Sequence, residues 1–190
     1  MKRLAAAGAA ALCAALLTPP GPATAAANSA VSSIPVNPAD RIEMHVTADC
    51  AGTTCTFNTT ANLLTPGGPV GFPGDAWSRQ TITLRSNDRD VWQEADYSAP
   101  SGTPRAGKGA NHGNVLSKMY KSLRDVEISV TSFGGGPIER YRVDGTSMPT
   151  EWTTGRPATQ ATFIVCSHIQ VVYSGVNLTT PDACAQTTFG

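Results

Sequence analysis

Residues 41–64 of the chain, RIEMHVTADCAGTTCTFNTTANLL, decide its fold class. Apolar residues alternate with polar ones from Ile42 onward, and this period of two indicates a strand with one buried face. If Cys50 and Cys55 are bonded around the four-residue turn between them, the register of a hairpin is fixed. The larger apolar residues then fall on one side. The predicted cross-strand pairs are Ala48–Phe57, Val46–Thr59, Met44–Ala61 and Ile42–Leu63.

Two further hairpins are indicated downstream. The second runs from Trp77 to Tyr97 and turns at residues 87–88, an Asn-Asp pair that tolerates positive φ. The third runs from Val126 to Asp144 around a Gly-rich stretch that cannot continue a strand. Opposite charges facing each other support the second register. The predicted pairs are Leu84–Val91, Ile82–Gln93, Ser78–Tyr97, Arg85–Asp90 and Arg79–Asp96, followed by Ile128–Val143 and Val130–Tyr141.

The remaining segments predict one central strand and one helix. Residues 161–173 are rich in β-branched and aromatic residues without Pro or Gly, which is typical of a strand buried on both faces. In residues 115–124, apolar residues recur at spacings of three and four after Asn114, an N-cap candidate. Together these elements predict a mainly-β domain from Arg41 to Gly190. We expect an antiparallel sandwich or partly open barrel of six to eight strands with one short helix.

The N-terminal residues 1–27 have the pattern of a signal peptide. A basic start precedes an apolar run at positions 4–17, which is too short to cross a bilayer as a helix, and small residues suited to cleavage follow. We expect cleavage near Ala25 or Ala27 and a protein that is secreted or held at the cell envelope. The alanine-rich leader and the preference for Arg over Lys are typical of exported proteins of high-GC bacteria. Residues 28–40, rich in Asn, Ser and Pro, are expected to form a flexible arm.

Four cysteines remain after the leader, an even number that predicts two disulfides in an oxidising compartment. Three pairings are open, and we favour the local ones, Cys50 with Cys55 and Cys166 with Cys184. No second Cys or His pair stands at the spacing of a zinc finger, so the sequence predicts neither a metal nor a cofactor.

Charge argues against two classes of partner. The chain has 14 basic and 14 acidic residues, and loss of the leader removes Lys2 and Arg3, which leaves 12 against 14. Binding to nucleic acid or to an anionic membrane needs an excess of Lys and Arg, so neither is expected. No segment is apolar for long enough to form a transmembrane helix.

The most specific constellation of candidate binding residues lies on the second hairpin. Its register places Trp92, Glu94 and Asp96 on one polar face with Arg79 and Arg85 opposite. An aromatic ring stacks on the apolar face of a sugar while carboxylates and Arg hydrogen-bond its hydroxyls, so these residues predict a glycan site. In the competing interpretation, the arginines only form ion pairs with acids on a solvated face.

Evidence for an enzyme is weak because the common catalytic motifs are missing. Glu94 and Asp96 are candidates for a glycosidase acid and base, and His45 and His168 are candidate bases. The sequence therefore favours an exported, non-enzymatic binding protein whose partner is a glycan, an envelope polymer or a protein. The alternatives are a secreted hydrolase and a protease inhibitor that presents the loop at 98–113. Nothing in the sequence indicates an oligomeric state.

Overall fold

The computed structural model describes residues 28–102 and 109–190. The predicted signal peptide at residues 1–27 lies outside the described residues, and so does part of the loop considered for protease inhibition, residues 103–108. No helix in the described ranges is long and apolar enough to cross a membrane.

Strands dominate the described chain, and helix is confined to a 3-10 turn at Ile138–Tyr141. The predicted mainly-β class is confirmed, although the strands are more numerous than the six to eight expected. The excess comes largely from short strands of three to five residues that extend the sheets at their edges. The strands are β1 Asn28–Pro35, β2 Arg41–Ala51, β3 Thr54–Thr65, β4 Gly68–Val70, β5 Trp77–Ser86, β6 Val91–Ser98, β7 Gly109–His112, β8 Val115–Lys121, β9 Val126–Phe133, β10 Arg142–Glu151, β11 Phe163–Tyr173, β12 Val176–Thr179 and β13 Ala183–Thr187.

The strands form two antiparallel sheets. Sheet I has the order β1-β2-β3-β10-β6, with β4 paired to the end of β3. Sheet II has the order β12-β11-β5-β9-β8-β7, with β13 also paired to β11. One apolar cluster joins their inner faces, with Met44 and Phe57 from sheet I and Ile82, Ile128 and Phe163 from sheet II. Burial of these side chains, at about 25 cal/mol per Å² of apolar surface, is the main force that holds the sandwich together.

The first hairpin forms as predicted, and β2 pairs with β3 in the expected register at all four positions. The Cys50–Cys55 disulfide is fully buried on the inner face, which explains why the larger apolar residues share its side. The Cys166–Cys184 disulfide is also confirmed, and it joins β11 to β13. The predicted central strand corresponds to β11, which lies between β5 and the two C-terminal strands.

The predictions of the second and third hairpins are wrong. Strand β5 belongs to sheet II and β6 to sheet I, while β9 belongs to sheet II and β10 to sheet I. The turns after β5 and β9 therefore carry the chain from one sheet to the other. An alternating pattern shows which side of a strand is buried but not which strand lies beside it. The pairs that do not form are Leu84–Val91, Ile82–Gln93, Ser78–Tyr97, Arg85–Asp90, Arg79–Asp96, Ile128–Val143 and Val130–Tyr141.

The predicted helix at 115–124 is also wrong, because this segment contains strand β8 and its turn into β9. Gly113 and Asn114 have φ values of 42° and 61°, and such a pair makes the two-residue turn of a β-hairpin. Asn114 therefore turns the chain between β7 and β8 instead of capping a helix. Along β8, Val115 and Ser117 are buried and Leu116 is exposed, so the burial follows a period of two.

The expected flexible arm is ordered over most of its length. Asn28–Pro35 forms β1, which pairs along β2 from Asn28 opposite Ala48 to Pro35 opposite Arg41. The prediction failed because the segment has few apolar residues, yet its backbone amides and carbonyls complete an edge of sheet I. The Ser32 hydroxyl also donates to the Pro181 carbonyl at 2.6 Å, which ties β1 to the C-terminal part of the chain.

Two of the connections between the sheets touch each other at one end of the sandwich. Residues 71–76 lead from sheet I to β5, and residues 134–141 lead from β9 back to sheet I. The backbones approach so closely that a Cβ on Gly71 would lie 1.8 Å from the Gly136 carbonyl oxygen. Hydrogen bonds from Gly135 N to Gly74 O at 3.1 Å and from Gly136 N to Phe72 O at 3.0 Å join them.

Candidate functional site

The predicted glycan residues Trp92, Glu94 and Asp96 lie on β6, at the free edge of sheet I. Their cross-strand partners on β10 are Thr150, Met148 and Thr146, in that order. Glu94 is exposed, whereas Trp92 and Asp96 are half-buried. This side of β6 is thus a partly polar surface with one aromatic ring, as the sequence predicts.

An open cleft of 480 Å³ lies along this surface. Its principal polar lining residues are Thr54, Glu94, Asp96, Lys121 and Thr146. The Asp96 Oδ1 accepts the backbone N–H of Tyr97 at 2.9 Å, which helps to orient that carboxylate. Carboxylate and hydroxyl oxygens in such a cleft accept and donate hydrogen bonds as a polyol ligand requires.

Lys121 reaches this cleft from sheet II, because it is the last residue of β8. Its Nζ lies 5.5 Å from the centre of the Trp92 ring, within the range of a cation–π interaction. The ammonium group therefore sits over part of the ring. Sequence reasoning missed this contact because the two residues belong to different sheets and are distant in the chain.

A second tryptophan was also missed. Trp152 follows β10, two residues beyond the partner of Trp92, and its side chain is 61% exposed. Its backbone N–H donates to the Asp90 carbonyl at 2.7 Å. Leu123, 77% exposed, joins it with Arg89 and Arg124 in the lining of a cleft of 260 Å³. The available sequence signal was a Trp followed by Thr-Thr-Gly, a composition that indicates a turn, and turns run over the protein surface.

Local hydrogen bonds close the two turns that carry Trp152 and Leu123. The Glu151 carboxylate accepts the Thr154 hydroxyl at 2.7 Å and the Gln160 amide at 2.9 Å, which fixes the turn that carries Trp152. These two hydrogen bonds lower the pKa of Glu151. The Leu123 turn is closed by the Ser122 N–H, which donates to the Asp125 carbonyl at 2.9 Å. The backbone of both turns is therefore fixed by contacts within the turns themselves.

Arg79 and Arg85 do not join this surface. Both lie on β5 in sheet II, so neither faces its expected acidic partner on β6. The Nε of Arg79 donates to the Ser129 hydroxyl at 3.1 Å on the outer side of that sheet. The predicted five-residue site is thus divided between opposite faces of the sandwich.

The candidate catalytic histidines lie on the outer faces of the sheets. His45 Nε2 is 3.2 Å from the Glu43 carboxylate, and His168 Nδ1 is 2.7 Å from the Asp182 carboxylate. The His168 and Asp182 side chains are 37% and 60% exposed, so water reaches both. No group of three or more His, Cys, Asp or Glu side chains in the part that the structure describes is arranged to hold a metal ion.

Comparison with known proteins adds no functional assignment. Neither a protein-family model nor a curated protein sequence matches this chain. The polar cleft beside Trp92 and the neighbouring cleft beside Trp152 together form a surface that we call the tryptophan surface; its residues are Trp92, Glu94, Asp96, Lys121, Leu123 and Trp152.

Proposed function

We propose that the protein is an exported, non-enzymatic binding protein that holds a glycan on the tryptophan surface, at the cell envelope or outside the cell. The observation that carries the proposal is the 61% exposure of Trp152 at the same end of sheet I as Trp92, from which the polar cleft continues along β6. An exposed indole offers a flat apolar ring, and a sugar has an apolar face that can stack on it.

Two kinds of group would contact the glycan, aromatic rings and hydrogen-bonding side chains. Trp152 supplies an open ring for stacking, while Trp92 is half-buried and partly covered by Lys121. Glu94 and Thr146 contribute hydrogen-bonding groups to the neighbouring cleft. A chain of sugar units that stacks on Trp152 reaches these groups along the edge strand β6. Lys121 adds a positive charge beside them, which also favours a polar ligand over an apolar one.

Binding is favoured over catalysis because the clefts are open and the His–carboxylate pairs are exposed. Enzymes shift and exploit ionisable groups in enclosed, partly desolvated sites. The His168–Asp182 pair lacks that enclosure. Export is supported by the two disulfides, since such bonds persist mainly in oxidising compartments.

The test is a co-sedimentation screen with insoluble chitin, cellulose and purified peptidoglycan, using the wild-type protein and its Trp152→Ala and Trp77→Ala variants. We expect at least one polymer to retain the wild type and Trp77→Ala, but to bind Trp152→Ala about tenfold more weakly. Stacking on one aromatic ring contributes roughly 1–3 kcal/mol in analogous base-stacking sites, and a tenfold loss corresponds to about 1.4 kcal/mol, within that range. Trp77 is the matched control because it lies on β5 in the opposite sheet.

Two outcomes would overturn the proposal. Either none of the three polymers retains the wild-type protein, or Trp152→Ala binds as strongly as the wild type. The melting temperature of Trp152→Ala should remain close to that of the wild type because the replaced side chain is mostly exposed. Trp92→Ala should weaken binding less, since Lys121 already covers part of that ring.

A further inference from the structure

The outer face of sheet II carries a separate cleft of 310 Å³, which crosses β5, β9 and β8. Its lining includes Arg79, Leu116, Lys118, Tyr120, Ser129 and Phe133. The strand register accounts for this grouping. Thr131 on β9 stands between Arg79 and Leu116, and Ser129 stands opposite Lys118.

Two positive charges, those of Arg79 and Lys118, line this cleft. Within the described residues, no carboxylate lies within ion-pair distance of Arg79 or Lys118. The bond from Arg79 Nε to the Ser129 hydroxyl restricts the guanidinium and leaves its Nη groups available for a ligand. A planar guanidinium held in this way binds a carboxylate through two parallel hydrogen bonds.

Apolar side chains surround the two cations. Leu116, Tyr120 and Phe133 are 42%, 53% and 46% exposed, on a face where polar residues are usual. The aromatic rings provide a surface for stacking, and the hydroxyls of Ser129 and Thr131 add hydrogen-bonding groups. The cleft thus combines a carboxylate-binding pair with a platform for a ring that also carries hydroxyls.

We propose that this cleft binds a uronic acid unit of an acidic polysaccharide. The sugar carboxylate pairs with Arg79 and Lys118, and the apolar face of the sugar ring packs on the exposed aromatic side chains. A simple inorganic anion leaves the apolar lining uncovered, whereas a neutral sugar leaves the two charges unpaired. The carboxylated sugar satisfies both features. The cleft is separate from the tryptophan surface because the two have no lining residue in common, although both include residues at or next to β8.

The experiment is an NMR titration of the wild-type protein with trigalacturonic acid, with neutral galactotriose as the matched probe. We expect trigalacturonic acid alone to shift amide resonances on β5, β8 and β9. Arg79→Gln should weaken the affinity about tenfold, as expected for loss of a charged hydrogen-bonding group. Arg85→Gln is the matched control, since Arg85 is exposed on the same strand and face but outside the cleft, and its affinity should equal that of the wild type.

A further variant tests the sign of the charge effect. Glu127 lies on β9 two residues from Ser129, opposite Tyr120. Replacing Glu127 by Gln removes a negative charge near the ligand and should strengthen binding of trigalacturonic acid about twofold at low salt. Added salt should weaken binding to the wild type.

Several results would overturn the inference. These are the absence of shifts with trigalacturonic acid, equal binding of galactotriose, and equal loss of affinity in Arg79→Gln and Arg85→Gln. Loss of trigalacturonic acid binding in Trp152→Ala would place the ligand on the tryptophan surface and would also refute the site. Retained trigalacturonic acid binding in Trp152→Ala supports it, whether or not the polymer screen succeeds.

Discussion

Replacement of Gly135 by Ala should destabilise the protein by about 3 kcal/mol. The new Cβ would lie 1.8 Å from the Pro73 carbonyl oxygen and 2.3 Å from that of Phe72, and both oxygens belong to backbone that cannot rotate away. The closer contact must widen to at least 3.0 Å. Such a movement weakens the hydrogen bonds from Gly135 and Gly136, each worth roughly 1 kcal/mol, and overpacking adds about 1–3 kcal/mol.

Gly74→Ala is the control, because a Cβ there meets nothing within 4 Å. Its free energy of unfolding should stay within about 1 kcal/mol of the wild type. Urea titration followed by far-ultraviolet circular dichroism gives both values, and heating should lower the Tm of Gly135→Ala by roughly 6–12 °C. If the two variants have equal urea midpoints, the close contact between the connections does not constrain the fold and the reasoning is refuted.

Three further predictions concern a disulfide, the hydrogen bonds of Arg140, and the pH dependence of binding at the tryptophan surface. Joint replacement of Cys166 and Cys184 by Ala should cost about 3 kcal/mol, because the bond joins residues 18 apart, and an unchanged urea midpoint would contradict this. Arg140→Gln should lower the free energy of unfolding by about 2 kcal/mol in the same urea titration, because the Arg140 Nη2 group donates to three backbone carbonyls at 3.0–3.3 Å. An unchanged free energy of unfolding would show that those hydrogen bonds do not stabilise the fold. Hydrogen bonds from Thr154 and Gln160 lower the pKa of Glu151. Their contribution to the stability of the Trp152 turn is therefore complete above pH 4.5, the ordinary pKa, and is lost as the pH falls through the lowered pKa. Polymer binding through Trp152, measured by co-sedimentation, should therefore weaken as the pH is lowered below 4.5, and Glu151→Gln should flatten that profile.

The sequence was most informative where a covalent bond and an alternating pattern coincided. In the first hairpin, Cys50 and Cys55 limited the register to one solution, and all four predicted pairs form. No such bond links β5 to β6, and the apparent charge match of Arg79 with Asp96 arose because both residues occupy outer faces. Outer faces are polar on both sheets, so complementary charges there do not identify a neighbour.

The helix prediction failed for a related reason. Leu116 and Tyr120 have helical spacing and apolar character, but they point outward from β8, while the polar Ser117 is buried. Local pattern reading assumes that apolar residues are the buried ones, and this segment reverses that rule at the edge of a cleft. The candidate site shows the same limit, because the contact of Lys121 with Trp92 depends on how two sheets pack.

The repeated passage of the chain between sheets sets the order in which the protein is expected to fold. The β2–β3, β8–β9 and β11–β12 pairs are hairpins of neighbouring strands, which close short loops and form early. The pairs β3–β10, β10–β6 and β5–β11 join segments far apart in the chain. Loop closure for these pairs costs entropy before any core contact compensates for it, so the high contact order favours slow folding, on a scale of milliseconds to seconds. A newly synthesised chain would meanwhile leave the edges of its early hairpins exposed to other unfolded chains.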